Sequence, residues 1–340
     1  MGVCWQFVPE LDQDCFVEKT RPAQVRTAEY HVRDAKGVCW ARHQTQKLWR
    51  GEEYTMQIDS HMRFEPGWDE TLIGMLKACA SQRPVLTTYP MGFTPPRELN
   101  KREFVPKPIA REFNQHRILI FGSTSVVVAD APPKPMLHAF LAGGFVFGPS
   151  SMISDVPYDP YQYFTGEEVS MAVRLWTHGY DLYAPNRPVL YHNYERQSSA
   201  RHWSDDKQWV VLSNRSFVRI RHLFGTERTA DAEALREIDR YGFGQARSLR
   251  EYERFTGISF ANRTVSERAT TYYFPFANRE EAEAAARAGV RDIPSAARDA
   301  DDGAARVAPP ARVRVTLSTT FKGPGVPEQL VEGRGGQVER

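Results

Sequence analysis

Strand-like and helix-like patterns of hydrophobic residues intermix over most of residues 1–260. Apolar and polar residues alternate over residues 53–59, which predicts a strand. Residues 68–79 then carry apolar side chains at three- and four-residue spacing, which predicts a helix. Because such segments alternate along the chain, we expect an α/β fold in which helices flank a sheet.

The same patterns predict the remaining elements of this region. Two short strands that flank Gly122-Ser123-Thr124 are expected to form a hairpin. The capping box formed by Ser248 and Glu251 predicts the start of a short helix that ends at Gly257. The other predicted elements are strands over 85–89, 117–121, 125–129 and 182–184, an apolar stretch over 140–147, and helices over 167–178 and 205–223.

Residues 261–340 have a different character. Ala, Arg, Asp and Glu dominate residues 277–310, which leaves little apolar surface to bury. A strand-like alternation reappears over residues 313–317, before a polar end. We therefore expect a catalytic domain at 1–260 and a low-complexity, largely disordered tail at 261–340.

Composition and charge exclude several classes of protein. The 44 Lys and Arg against 42 Asp and Glu leave a net charge of +2, which provides no general attraction to nucleic acid. The sequence contains no run of eighteen apolar residues, so no membrane span is predicted, and the first residues lack a secretory pattern. The four cysteines have neither zinc-site spacing nor the density of a disulfide scaffold. These features favour a cytoplasmic protein with reduced thiols.

The segment Gln57-Ile58-Asp59-Ser60-His61 is the most informative site signal. Residues i and i+2 of an extended chain point to the same side, so Asp59 and His61 can face one point. A carboxylate oxygen and an imidazole nitrogen suit a divalent ion such as Mn²⁺. The alternative is structural: Asp59 caps the next turn and His61 packs against it. For an isolated pair, that alternative is favoured.

A third potential ligand, His192, follows an apolar segment and lies between aromatic residues. Nothing in its local sequence brings it to Asp59 and His61. By itself it is typical of a histidine in the core or at its rim.

Two further motifs can face a ligand. Glu167 and Glu168 begin a predicted helix, where the helix dipole alone favours acids, but a carboxylate there can also bind sugar hydroxyls or orient an acceptor. Gly143 and Gly144 interrupt an apolar run, which often indicates close approach of the backbone to a ligand. They match neither a dinucleotide fingerprint nor a phosphate loop.

Taken in order, these motifs resemble the GlcNAc-transferase family that includes the cytoplasmic hydroxyproline GlcNAc-transferase. More distantly, they are similar to the mucin-type polypeptide GalNAc-transferases, which share an Asp-Ser-His, a Gly-Gly, a Gly-Glu and a downstream metal-binding histidine. The resemblance covers most of residues 1–260. The matching residues are 36–42, 57–64, Gly67-Trp68-Asp69, Leu72-Ile73, Gly143-Gly144-Phe145, Gly166-Glu167-Glu168, 249–252 and Thr256-Gly257-Ile258.

The resemblance implies a GT-A fold with a mixed, mostly parallel sheet, a nucleotide-sugar donor, a divalent cation and retention of the anomeric configuration. It assigns the metal to Asp59, His61 and His192. It also implies that Arg42 contacts the diphosphate of the donor. Gly143 and Gly144 would line the sugar, and Glu167 would contact its hydroxyls. Glu168 would lie on the acceptor side.

Members of this family usually begin with a further strand and an Arg-Asp element. Residues 2–6 correspond to the family's second strand, so we expect a GT-A domain that lacks its first strand. A shortened gene product, a misassigned start or a substitute strand at 313–317 are the alternatives.

The leading hypothesis is a metal-dependent retaining transferase that moves GlcNAc from UDP-GlcNAc to a protein hydroxyl, of hydroxyproline or of Ser or Thr. Mn²⁺ is the expected ion, with Mg²⁺ as the alternative, and a protein or peptide is the expected acceptor. The main rival is a truncated, inactive relative that binds a sugar or a protein. A metal hydrolase that uses Asp59, His61 and His192 is the least favoured.

Overall fold

A computed structural model describes residues 1–12, 22–96, 98–100, 103–195, 208–271, 278–281 and 284. The described residues belong to one compact unit, Met1–Ala284. Described elements extend past residue 260, up to Thr271. Residues 285–340, with the predicted strand at 313–317, lie outside the described residues, and the tail stays a prediction.

Strands and helices alternate along the described chain. The strands are β1 Gly2–Phe7, β2 Arg26–His31, β3 Tyr54–Ile58, β4 Met62–Phe64, β5 Pro84–Thr87, β6 Met91–Thr94, β7 Glu98–Leu99, β8 Phe104–Phe113, β9 Leu119–Val127, β10 Met136–His138, β11 Phe145–Pro149, β12 Asp181–Ala184, β13 Leu190–His192, β14 Ile258–Ser259 and β15 Thr264–Val265. The α-helices are α1 Val38–Gln46, α2 Trp68–Ala78, α3 Ser151–Asp155, α4 Glu167–Thr177, α5 Trp209–Leu223, α6 Leu249–Thr256 and α7 Glu267–Thr271.

The central sheet has the strand order β10-β12-β5-β11-β3. The α/β class is therefore confirmed, but the expectation of a mostly parallel sheet is wrong for these strands. Only β5 and β12 pair in parallel, while the other neighbours are antiparallel. Two of the antiparallel pairings come from β11, which inserts between β3 and β5 and runs opposite to both, and the third comes from β10 at the edge of the sheet.

A second sheet, of order β4-β13-β6-β7, brings distant parts of the chain together. β13 pairs with β4 in antiparallel register, so that His192 lies opposite Met62. The amide of Asn193 also donates to the carbonyl of His61 over 3.0 Å. Backbone pairing thus fixes the end of β13 beside the segment that comes after β3.

The hairpin predicted around residues 122–124 is wrong. Residues 119–127 form one strand, β9, which pairs with β8, and the turn lies at Asn114, whose side chain accepts from the amides of His116 and Ile118. Gly122 instead makes room across the strands, because an added Cβ would lie 2.7 Å from the side chain of Arg111. A Gly-Ser-Thr segment is typical of a turn, but here its glycine allows two strands to pack.

The predicted helices and the capping box are confirmed where the structure describes them. Helix α2 covers all but the last residue of the prediction. Helix α5 begins at Trp209 with Gln208 as its N-cap, while residues 205–207 of the predicted helix lie outside the described residues. Ser248 and Glu251 form both bonds of the capping box at the start of α6. Trp176 of α4 is fully buried against Phe255 of α6, at 4.7 Å between ring centroids.

Two expectations from composition can be compared with the described residues. Cys4, Cys39 and Cys79 are free thiols, and Cys15 lies outside the described part. None of the described helices has both the length and the apolar character that a membrane crossing requires.

Candidate active site

Three potential metal ligands meet where two sheets come together. Asp59 follows β3 directly, His61 comes two residues later, and His192 ends β13. We call these residues the metal triad. Asp59 and His61 share a side through their local spacing, whereas the pairing of β13 with β4 brings His192 to them.

The donor atoms of the metal triad converge on one point. Nε2 of His61 lies 2.7 Å from Nε2 of His192, and Oδ2 of Asp59 lies 3.2 Å from the same His192 nitrogen. One such atom from each residue lies within 4.8 Å of the other two. Ligands that share one divalent ion, each about 2.0–2.2 Å from it, have similar separations, of about 3 Å between neighbours. The triad therefore fits a divalent cation.

Asp59 is held in its charged form. Partial burial alone would raise the pKa of its carboxyl, but the hydrogen bond with His192 and the positive charge of Arg42 outweigh that effect and lower the pKa to about 2. Nη2 of Arg42 lies 3.2 Å from Oδ1 of Asp59. A charged carboxylate is the form that binds a metal ion.

Arg42 joins the metal triad to the second group of candidate residues. It lies on α1, and its guanidinium pairs with Asp59 through Nη2 and with Glu167 through Nη1. Only 12% of its side chain is exposed. One largely buried cation, Arg42, therefore lies between two carboxylates at the site.

Gly143, Gly144, Glu167 and Glu168 form the group that we call the glycine cluster. A Cβ added to Gly143 would lie 2.8 Å from Nη1 of Arg42 and 3.0 Å from Oε1 of Glu167, and one added to Gly144 would lie 3.1 Å from Oδ2 of Asp59. Side chains at these two positions would fill the space between the carboxylates. The paired glycines therefore keep that space open.

The two acids of the glycine cluster make different contacts at the start of α4. Oε1 of Glu167 pairs with Arg42 and accepts from the hydroxyl of Tyr158 at 2.9 Å. Glu168 accepts from the amide of Gly143 at 2.8 Å and from the hydroxyl of Tyr89 at 2.6 Å. Burial raises the pKa of Glu168, although both hydrogen bonds oppose the rise. Glu168 thus ties the glycine backbone to α4 and to the residues that come after β5.

Three residues of the site were missed by sequence reasoning about individual positions. Tyr158 and Tyr89 hold the two glutamates, and Gln57 donates to the carbonyl of Gly143 at 2.8 Å. Gln57 stands two residues before Asp59 at the end of β3, so its place on the same face of the strand was an available signal. Tyr89 and Tyr158 follow no spacing that distinguishes them from core tyrosines.

The structure brings every candidate residue from the sequence into one connected group. Contacts run from His61 through His192 to Asp59, and from Asp59 through Arg42 to Glu167. They continue from Glu167 through Tyr158 and Gln57 to Gly143, whose amide donates to Glu168. The alternative in which Asp59 only caps a turn and His192 stands alone is not what the described residues show. The individual roles stay predictions.

Comparison with known proteins identifies the family. A family model described as "Glycosyltransferase (GlcNAc)" matches residues 7–262. Among curated proteins, none matches the chain. A crystal structure of GalNAc-T7 with UDP, GalNAc and Mn²⁺ is similar, with a TM-score of 0.44 and 12% identity over 69% of this chain and 48% of that one, so the chain spans about half of its length. By the extent of the family match, this chain belongs to the GlcNAc glycosyltransferase family.

Proposed function

We propose that this protein is a metal-dependent, retaining glycosyltransferase of GT-A type that moves GlcNAc from UDP-GlcNAc to a protein hydroxyl. The observation that carries the proposal is the junction of the metal triad with the glycine cluster through Arg42. It joins a potential cation site to a cluster with two carboxylates, in a chain that belongs to a glycosyltransferase family.

Asp59, His61 and His192 would hold the cation, which we propose to be Mn²⁺, with Mg²⁺ as the alternative. A divalent ion supplies Lewis-acid stabilisation of the negative charge that develops on a leaving diphosphate. The mixed nitrogen and oxygen donor set of the triad suits Mn²⁺ better than Mg²⁺, which prefers oxygen ligands.

The residues around the triad would bind and orient the donor. Arg42 offers its guanidinium to the diphosphate, because Arg binds phosphate oxygens in a fixed fork geometry. Gly143 and Gly144 would line the sugar, and Glu167 would accept hydrogen bonds from its hydroxyl groups. We assign no nucleophile, since both carboxylates of the cluster are engaged in the contacts with Arg42, Tyr158, Gly143 and Tyr89.

The last part of the proposal concerns Glu168 and the acceptor. The two carboxylate oxygens of Glu168 accept from Gly143 and Tyr89. We therefore propose that Glu168 acts on the acceptor side only through the glycine backbone that it holds. The family resemblance favours hydroxyproline, or Ser or Thr, in a cytoplasmic protein or peptide as the acceptor.

The variant Asp59→Ala tests the proposal. We expect it to lose metal-stimulated hydrolysis or transfer of UDP-GlcNAc and to bind Mn²⁺ more weakly by electron paramagnetic resonance, with a retained circular dichroism spectrum. Asp69→Ala, which removes an acid of the first turn of α2, is the matched control and should behave as the wild type. Full activity of Asp59→Ala would overturn the assignment.

Calorimetry with UDP and Mn²⁺ separates active enzyme from inactive relative. A folded wild-type protein that binds neither ligand supports the rival in which the chain is a sugar- or protein-binding module. Metal-dependent hydrolysis of simple esters without a nucleotide sugar would instead indicate a metal hydrolase.

A further inference from the structure

Tyr158 occupies a central position among the elements that build the site. The residue is 3% exposed. Its backbone is bonded to α1 through both its amide and its carbonyl. Its amide donates to Oε1 of Gln46 over 2.8 Å, and its carbonyl lies 2.9 Å from Nδ1 of His43. Because α1 also carries Arg42, the same helix positions both residues.

The hydrogen bonds of the Tyr158 hydroxyl have a defined direction. The side-chain amide nitrogen of Gln57, Nε2, lies 2.7 Å from this hydroxyl and 2.8 Å from the carbonyl oxygen of Gly143. It therefore donates one hydrogen to each. The hydroxyl accepts from Gln57 and must therefore donate its own proton to Glu167, over 2.9 Å. Burial, opposed by the charge of Arg42, raises the pKa of Tyr158 to about 12, so the hydroxyl keeps that proton at neutral pH.

Two different groups of the glycine cluster are thus set by one chain of donors. Gln57 fixes the carbonyl of Gly143, and Tyr158 fixes the carboxylate of Glu167. The separation between these two groups therefore depends on the hydroxyl of Tyr158. Both hydrogen bonds of that hydroxyl go to residues outside the metal triad, so this chain acts on the glycine side of the site.

We propose that Tyr158 is a positioning residue that holds the Glu167 carboxylate and the Gly143 carbonyl in register, and thereby aligns the sugar of the donor. This inference rests on the proposed function, because it takes the glycine cluster as the sugar pocket. Tyr158 acts through Glu167 and Gln57 and is not itself a catalytic residue.

Removal of the hydroxyl alone tests this role. Tyr158→Phe keeps the ring that packs 5.6 Å from the guanidinium carbon of Arg42 but removes the hydroxyl that donates to Glu167. We expect kcat/KM for UDP-GlcNAc to fall about 10- to 100-fold, as for a lost hydrogen bond to a charged group. The affinity for UDP with Mn²⁺ should stay within about twofold, since UDP lacks the GlcNAc that the glycine cluster would contact.

Two further variants make the result specific. Tyr161→Phe removes another hydroxyl from the same loop, one that donates to Glu237 at the surface, and should leave both quantities unchanged. Gln57→Met removes the donor that orients Tyr158, and we expect it to act in the same direction. If both residues belong to one chain, the losses of Tyr158→Phe and Gln57→Met will not add in the double variant.

A second readout does not depend on turnover. In calorimetry with Mn²⁺, the wild type should bind UDP-GlcNAc and UDP with different affinities, and Tyr158→Phe should reduce that difference. The positioning role would be overturned if Tyr158→Phe left both kcat/KM and the difference in affinity between UDP-GlcNAc and UDP unchanged. Equal losses of affinity for UDP and for UDP-GlcNAc would overturn it as well. A wild type that binds neither ligand contradicts the proposed function itself, which is a distinct result from a variant that behaves as the wild type.

Discussion

The metal triad and the glycine cluster are held in place by different forces. Backbone pairing positions the triad: β13 lies beside β4, and the Asn193 amide donates to the carbonyl of His61. Side chains position the glycine cluster, through the hydroxyls of Tyr89 and Tyr158 and the amide of Gln57. Changes in the triad should therefore remove a ligand and spare the fold, whereas changes in the cluster should disturb several groups at once.

The largest expected effect is on metal binding. His61→Ala and His192→Ala each remove one of three ligands, and we expect each to weaken Mn²⁺ binding by about 100-fold or more, beyond the effect of an outer-shell substitution. Stability should change little, because the strand register does not depend on these imidazoles. Mn²⁺ titration followed by paramagnetic resonance, with urea unfolding in parallel, measures both. Unfolding of either variant would remove the contrast between the two regions.

Arg42→Met should disturb both regions together. The substitution leaves Glu167 as a buried carboxylate without its cation, and we expect it to lower the free energy of unfolding by about 3 kcal/mol. Urea unfolding measures the loss. In the double variant Arg42→Met with Glu167→Gln, the uncompensated charge is gone, so part of the stability should return. A double variant that is as unstable as Arg42→Met would show that packing, and not charge, is the cause.

The two glycines should respond differently to a methyl group. In Gly143→Ala the new Cβ meets both Arg42 and Glu167, whose positions are fixed by other contacts, and we expect a loss of about 1–3 kcal/mol. In Gly144→Ala it meets only Asp59, whose side chain is one-third exposed and can shift, so the loss should be smaller. Thermal unfolding of both variants checks the order, and the reverse order would contradict this account.

A buried histidine just before the glycine cluster should make the stability of the fold sensitive to acid. His138 lies just before it, is fully buried, and accepts from the amide of Phe140 through Nδ1 at 3.1 Å. Burial lowers the pKa of His138 to about 3. Below about pH 6.5 the unfolded chain gains a proton that the folded protein does not, so stability should fall as the pH drops toward 3, by up to about 1.4 kcal/mol per unit.

The variant His138→Met isolates this contribution. Its urea midpoint should depend less on pH between about 6.5 and 4 than that of the wild type. Between about pH 7 and 8 the two slopes should agree, which serves as the internal control. Equal slopes in the acid range would mean that another group carries the acid sensitivity.

Much of the local structure was predictable because it depends on neighbours in sequence. The helix α4, the strand β3 and the capping box at Ser248 arise from periodicity and from bonds between residues three apart. The long β8–β9 hairpin was not, since Pro106 and Pro108 lie within β8 and Gly122 interrupts the pattern of β9. The direction of β11 was missed for a related reason: strand patterns carry no information about which neighbour they pair with.

The sequence alone determined which chemical groups the site can contain and the local part of their arrangement. The two-residue spacing of Asp59 and His61 at a strand end, the paired glycines and the acids at the start of a helix are local features. They supplied the candidate groups, and the resemblance to a known family singled them out as a site. Only the tertiary structure decided that His192, 131 residues beyond His61, brings its Nε2 within 2.7 Å of that imidazole. The same is true of Tyr158, whose contacts with Gln57 and α1 span about a hundred residues. Such contacts depend on strand register and on loop packing, which no local pattern specifies.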